Sequence, residues 1–338
     1  MAFFWPHESS SKEQLNILSW SGYTDRDVVK IFEQKHLIDV NITYVNNDQQ
    51  LRQYIESSDS EFDLVALNTS ELQRYISLKA IRPLDIKKIT NIKWLANRFT
   101  PIEDYPEIAV NKLTYGIPFT YSSMGIIYHK ERVNSPPTSW AEFWSSENKH
   151  KILGYDGGTH NVSLAALYLQ MPNPFSIPSD KEQVVANQLI KFRENAFTFY
   201  SSIEEATRLF NDYELSMMFA NFGYQQLNSL QNTGADVEYV IPEEGALAWL
   251  DCWAIPVSSQ QSELAYKWLN FSLEPWVQKL MVDRHGLQSP LLQFSPKTVH
   301  QGLIWLAPVE NPEKREAMWN AIYSGRSLPG VIKHLESF

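Results

Sequence analysis

The sequence of 338 residues is poor in cysteine, in basic charge and in long apolar runs, and each shortage removes a class of protein. Cys252 is the sole cysteine, so neither an intramolecular disulfide nor a cysteine-built metal site can form. Low cysteine usage fits cytosol and periplasm alike. Lysine and arginine number 29 against 39 aspartates and glutamates, a net charge of -10. That balance argues against nucleic acid, whose binding relies on basic stripes, and suits a protein that draws in cations over long range. No apolar run approaches the ~18–20 residues of a membrane span. Residues 1–11 lack a charged segment followed by an apolar one and read as a mature start, after removal of a signal sequence. Motifs of chemistry are missing too. There is no G-x-S-x-G, no H-E-x-x-H, no Walker A loop and no G-x-G-x-x-G, and His129, His150 and His160 show no ligand spacing. Neither catalysis, nor a metal, nor a cofactor is expected.

What is abundant is aromatic: 13% of residues, including 11 Trp and 16 Tyr. Such rings build either a large core or the walls of a cleft, and position must decide. The length exceeds the ~250–300 residues at which a single core stops growing, so two lobes are expected. Short apolar runs at 15–20, 39–45 and 62–67 read as strands. Helical segments intervene: one from Thr24 with Val28, Val29, Ile31 and Phe32 as its apolar face, and others at 48–57 and 70–79. Strands alternating with helices imply a parallel sheet covered on both faces. A second α/β unit follows. It has an extended run at 119–128, strands at 151–155, 215–220, 237–241 and 248–256, and helices at 162–169, 180–194 and 202–211. Ser139 and Glu142 have capping-box spacing. The chain enters this unit near Pro118 and leaves it near Asp251. The division expected is 14–118 plus 252–293 for one lobe and 119–251 plus 294–338 for the other. A double crossing makes a hinge, and the cleft between lobes is the natural ligand site.

One glycine-rich segment, Asp156-Gly-Gly-Thr-His-Asn161, precedes an apolar helix. Its amides could seat an anion, whereas the Asp156 carboxylate would instead meet an amine.

Six segments in order resemble the polyamine-binding proteins of ABC importers, the spermidine/putrescine-binding type. They are Trp20-Ser-Gly-Tyr23, Phe62-Asp-Leu-Val-Ala-Leu-Asn-Thr69, Tyr115-Gly-Ile-Pro-Phe119, Thr138-Ser-Trp-Ala-Glu-Phe-Trp144, Glu244-Gly-Ala-Leu-Ala-Trp-Leu-Asp251 running on to Pro256, and Lys267-Trp-Leu-Asn-Phe271. The resemblance implies a type II periplasmic-binding-protein fold, a periplasmic monomer, and a small cationic amine passed to a membrane permease. It implies that Trp20, Ser21 and Tyr23 line the cleft, with Asn68 and Thr69 after the third strand. Trp249 supplies a ring wall and Asp251 the carboxylate for an ammonium; in a strand, i and i+2 share a face. Phe219 is expected to keep an aromatic wall, Gln288 or His285 a polar role near Leu287, and Asp156 a second acid. Ring faces suit methylenes and attract ammonium groups by ~0.5–2 kcal/mol each. The chain departs from the family where an acid is often present, at Gly22, and again at Asn68, Phe222 and Leu287. Fewer acids favour a ligand with few amines. Closure would bring Trp20 and Tyr23 toward Asp156 and Phe219. The same fold could instead serve as the ligand-sensing partner of a membrane signalling receptor, or take a quaternary amine or a small anion.

Overall fold

A computed structural model describes residues 13–57, 61–294 and 302–338; the N-terminal segment read as a mature start lies outside the described residues. In the first third, strands β1 (Gln14–Trp20), β2 (Asp39–Val45) and β3 (Leu64–Asn68) alternate with helices α1 (Arg26–His36), α2 (Asp48–Ile55) and α3 (Thr69–Ser77). The strands run parallel with β1 in the middle: Ile17 is opposite both Ile42 and Leu64. Every residue of β3 is buried, as an unbroken apolar strand inside a covered sheet must be. Helix α1 buries Val28, Val29 and Phe32. Ile31, expected on that face, sits at the edge of the stripe and is 44% exposed.

A short hairpin, β4 (Ala109–Val110) and β5 (Leu113–Thr114), leads into β6 (Gly116–Met124) and β7 (Ile126–His129). Then come β8 (Ile152–Tyr155), α4 (Gly158–Tyr168), α5 (Glu182–Asn195), β9 (Thr198–Tyr200), α6 (Ile203–Asp212), β10 (Met217–Phe219), α7 (Tyr224–Asn232), β11 (Val237–Val240) and β12 (Ala246–Ala254). Helices α8 (Ser262–Ser272) and α9 (Pro275–His285), strand β13 (Leu303–Trp305) and helices α10 (Pro312–Tyr323) and α11 (Leu328–Leu335) complete the chain.

The strands form two principal sheets. The first has the order β13-β12-β3-β1-β2, with β6 also paired to β12. The second has the order β11-β7-β10-β8-β9. The chain leaves the first sheet between β6 and β7 and returns between β11 and β12. After β13, which pairs with β12 at Ala246 to Ala248, it passes over again to place α10 and α11 on α4 and α5. Long antiparallel β6 and β12 therefore form the beam on which the two halves meet, and both are buried throughout.

Most of the large rings are core. Trp140, Trp253, Trp268 and Trp319 are all but fully buried, and Trp268 meets Phe32 edge-on at 4.9 Å, fastening α8 to α1. The capping-box spacing of Ser139 and Glu142 yields a single 3-10 turn over Trp140–Trp144 instead of an α-helix. Ser139 Oγ accepts from the Ala141 amide, while the Glu142 carboxylate is turned forward to Asn148 Nδ2 at 2.6 Å. The proline pair before it and the need to bury both Trp140 and Phe143 keep this segment tight.

Candidate ligand-binding site

Parallel strands deliver the loops at their carboxyl ends to one edge, where α/β proteins bind ligands. Both sheets obey this rule and face the same crevice. The first contributes Trp20 to Tyr23 after β1, Asn46 to Asp48 after β2 and Asn68 at the end of β3. The second contributes Tyr155 at the end of β8, Ser201 to Glu204 after β9, Asn221 and Phe222 after β10, and His160, Gln225 and Asn228 from helices. Trp249 and Asp251 of β12 form part of the lining. The crevice holds a space of about 450 Å³, within the range of small-molecule sites.

At one end stands Asp251, 6% exposed. The Tyr23 hydroxyl donates to its Oδ2. Burial pushes this carboxyl up to about 7; the Tyr23 hydrogen bond pulls it down in part, and Asp48 adds to the rise. Burial, reinforced by the Asp251 charge, raises the Tyr23 hydroxyl well above its ordinary value, so it remains a donor. Two indoles line the same cavity and both are fixed by their N–H groups: Trp20 Nε1 donates to the Ala66 carbonyl at 3.2 Å and Trp249 Nε1 to the Asn221 carbonyl at 3.3 Å. Across the cavity Tyr155 meets Phe222 edge-on at 5.9 Å and lies nearly parallel to the His160 ring at 5.9 Å. Burial lowers the His160 imidazole, which therefore stays neutral at neutral pH; its Nδ1 is 2.8 Å from Asn221 Oδ1. A buried carboxylate among aromatic faces is a cation site by its chemistry.

Asp48 is the second acid. It opens α2, and its Oδ1 accepts from Asn68 Nδ2 at 3.0 Å. Burial raises its carboxyl, with Arg52 opposing the rise and Glu316 adding to it.

Of the residues singled out in the sequence, the cavity unites Trp20, Ser21, Tyr23, Asn68, Trp249 and Asp251, together with His285, the alternative to Gln288. Four others lie elsewhere. Thr69 is buried and its hydroxyl donates to the Leu306 carbonyl at 2.6 Å. Phe219 is fully buried in the middle strand of the second sheet and packs edge-on against Trp140 at 5.6 Å. Its place on the wall falls to Phe222, three residues on, where the chain has left the sheet. Gln288 is tied by its carbonyl, which accepts from Thr120 Oγ1 at 2.9 Å. Asp156 accepts from Trp319 Nε1 at 2.7 Å on the outer side of its strand end. The anion seat that the adjoining glycines suggested is already filled, because Glu316 accepts from the amides of Gly158 and Thr159, each at 3.0 Å. From the side of the second sheet the cavity shared with Trp20 and Tyr23 is lined by Asn221, Phe222 and Gln225, and not by Asp156 or Phe219.

Asp48 and Tyr155 carried no sequence signal for a site, and His160 was marked only as a member of the glycine-rich segment. Asp48 looks like an ordinary first-turn acid after an N-cap asparagine. The space that a side chain at residue 22 would use is also taken: a Cβ on Gly22 (φ +87°) would lie 3.3 Å from His285 Cγ and 3.6 Å from Gln225 Nε2. His285 Nε2 is itself 2.8 Å from Asp25 Oδ1, and Arg284 is engaged by Asp25 and Asp27, so these basic groups are spent locally.

The model of the bacterial extracellular solute-binding protein family matches residues 27–301. The putrescine-binding periplasmic protein PotF of Escherichia coli is 26% identical over 282 residues, covering 79% of this chain and 75% of that one. The norspermidine sensor of Vibrio cholerae is 23% identical over 299 residues, covering 83% and 76%. Among solved structures, the TpPotD lipoprotein of Treponema pallidum superposes with a TM-score of 0.75 at 18% identity, over 92% of this chain and 99% of that one. Among the described residues no helix is long and apolar enough to cross a membrane.

Proposed function

The chain belongs to the bacterial extracellular solute-binding protein family, and we propose that it captures a small aliphatic polyamine and delivers it to an ABC importer, without chemical change. The observation that carries this reading is the buried Asp251 carboxylate, held by Tyr23 in a cavity that the Trp20 and Trp249 rings also line. A polyamine presents what this arrangement lacks: an ammonium for the carboxylate and methylenes for the ring faces. The relatives named for putrescine and norspermidine support the same class of ligand. In this reading the two sheets are the cores of two lobes, 14–118 plus 252–293 and 119–251 plus 294–338, with β13 and most of β6 and β12 lent by the second lobe to the first sheet. The protein works as a monomer in the periplasm.

The test is titration calorimetry with putrescine, spermidine, norspermidine and spermine. At least one should bind, and Asp251→Ala should abolish its binding. Binding of none, or undiminished binding by the variant, would overturn the assignment. A second reading, a ligand-sensing partner of a membrane receptor, is favoured by the likeness to a norspermidine sensor. Pull-down from membranes with the amine-loaded protein separates the two: a permease supports transport and a signalling receptor supports sensing.

A further inference from the structure

Building on the reading of the cleft as an amine site, we infer that Asp48 is a second ammonium anchor and that the ligand is a short diamine lying along one wall from Asp251 to Asp48. The two carboxylates are linked through Asn68. In the antiparallel β3–β12 pair Asn68 is directly opposite Asp251, and its Nδ2 donates to Asp48 Oδ1 at 3.0 Å. Cross-strand neighbours stand about 4.5–5.5 Å apart, so adding one hydrogen-bond length puts the two acids on the order of 8 Å from each other. Both line the same cavity. A few methylenes span such a gap.

The charges around Asp48 leave it available to a ligand. Arg52, one helical turn on, is held bidentate by Glu71, with Nε 3.1 Å from each carboxylate oxygen and Nη2 2.6 Å from Oε1. With both carboxyls ionised, Asp48, Arg52 and Glu71 together carry one net negative charge. Glu316, which also acts on Asp48, spends its oxygens on the start of α4. Among the described residues no lysine lines the cavity. His160 is neutral, and with its Nδ1–H donated to Asn221 Oδ1 its Nε2 is left as an acceptor, suited to an ammonium. Elsewhere the wall offers the amides of Gln225, Asn228 and Asn221, and its third carboxylate, Glu204, is exposed to solvent. The place where the resemblance would put an acid, Gly22, is closed by His285 and Gln225. Two ammonium groups thus find carboxylates in the interior, and a third would meet neutral amides or the solvent-screened Glu204.

Titration of the full chain with putrescine and n-butylamine tests this. A single-acid site binds a diamine only about twofold better than its monoamine, on statistical grounds. Two acids should favour putrescine by about 10–100-fold, since a hydrogen bond to a charged group is worth roughly 1.5–3 kcal/mol. Asp48→Asn keeps the acceptor oxygen for Asn68 and removes only the charge, so the ratio should collapse toward two; Asp48→Ala gives the same reading should the asparagine chain fail to fold. A wild-type ratio near two, a ratio that Asp48→Asn leaves untouched, or loss of both amines in a folded variant overturns the inference while the amine reading stands. A wild-type protein that binds neither amine nor any longer polyamine overturns the reading and this inference with it.

Discussion

Asp251 is a carboxylate kept where water cannot serve it, and that has a cost in the empty protein. Its ordinary value is near 3.8 and burial lifts it to about 7. Between those values the folded chain holds a proton that the unfolded chain has released. Stability attributable to this group is therefore full at low pH, declines as pH rises through that window and is flat above it. Asp251→Asn should remove the slope. The empty variant should be more stable than the parent by about 2–4 kcal/mol at pH 8 and equal to it near pH 4, as thermal unfolding across pH would show. Amine affinity should move the opposite way in the parent, rising with pH until Asp251 is ionised. A parent whose affinity is unchanged between about pH 5.5 and 8 would contradict the role of this carboxyl. Tyr23 acts through Asp251: the phenol holds the carboxylate in place and, being raised far above neutrality, never competes with it for charge.

At the scale of elements, helix starts do most of the positioning. The N-cap of α2 is Asn47, whose Oδ1 accepts from the Gln50 amide at 2.8 Å, and this cap turns the next residue, Asp48, to the cavity. Asn68 has two jobs. Its Oδ1 caps α3 by accepting from the Glu71 amide at 3.0 Å, and its Nδ2 steadies Asp48. Helix α4 has no side-chain cap of its own and borrows the Glu316 carboxylate from α10, which also takes the Thr159 hydroxyl at 3.1 Å. Glu316→Ala frees two amides and should cost about 1–2 kcal/mol, read by denaturant unfolding, with Glu316→Gln costing less. Equal stability of Glu316→Ala and parent would show that water caps this helix as well as the carboxylate does.

Over the whole molecule, the two halves touch where α9 ends. Gly286 (φ +65°) closes α9 in the left-handed region, and a Cβ there would stand 2.9 Å from the Tyr224 carbonyl at the start of α7. That contact joins a helix of the first half to one of the second. Gly286→Ala should cost about 1 kcal/mol for its backbone conformation and, in addition, prop the halves apart. Small-angle scattering should show compaction of the parent on adding saturating putrescine and a smaller change, with weaker binding, in the variant. Identical compaction in both would discount the contact. Saturating ligand should also stabilise the parent by about 2.7 kcal/mol at 100 times Kd.

Much of this was legible before any coordinates. Strand–helix alternation announced the parallel run of β1, β2 and β3, because periodicity is local and burial enforces it, but not the antiparallel β6, β7, β11 and β12 that make both sheets mixed. The spacing of Trp249 and Asp251 announced a shared face, because a strand alternates strictly. Trp20, Ser21 and Tyr23 needed only the end of β1 to be placed. What sequence order could not convey was which loops meet. Asp156 and Phe219 carry the right chemistry, yet one turns outward to Trp319 and the other inward to Trp140. Asp48 carries no motif and enters the cavity only because β2 and β3 both flank β1, while β3 pairs with β12, bringing Asn68 between two acids far apart in the chain. Residue types and local periods are properties of the chain, whereas adjacency across a cleft is a property of sheet order, and sheet order is set by the burial of the whole core.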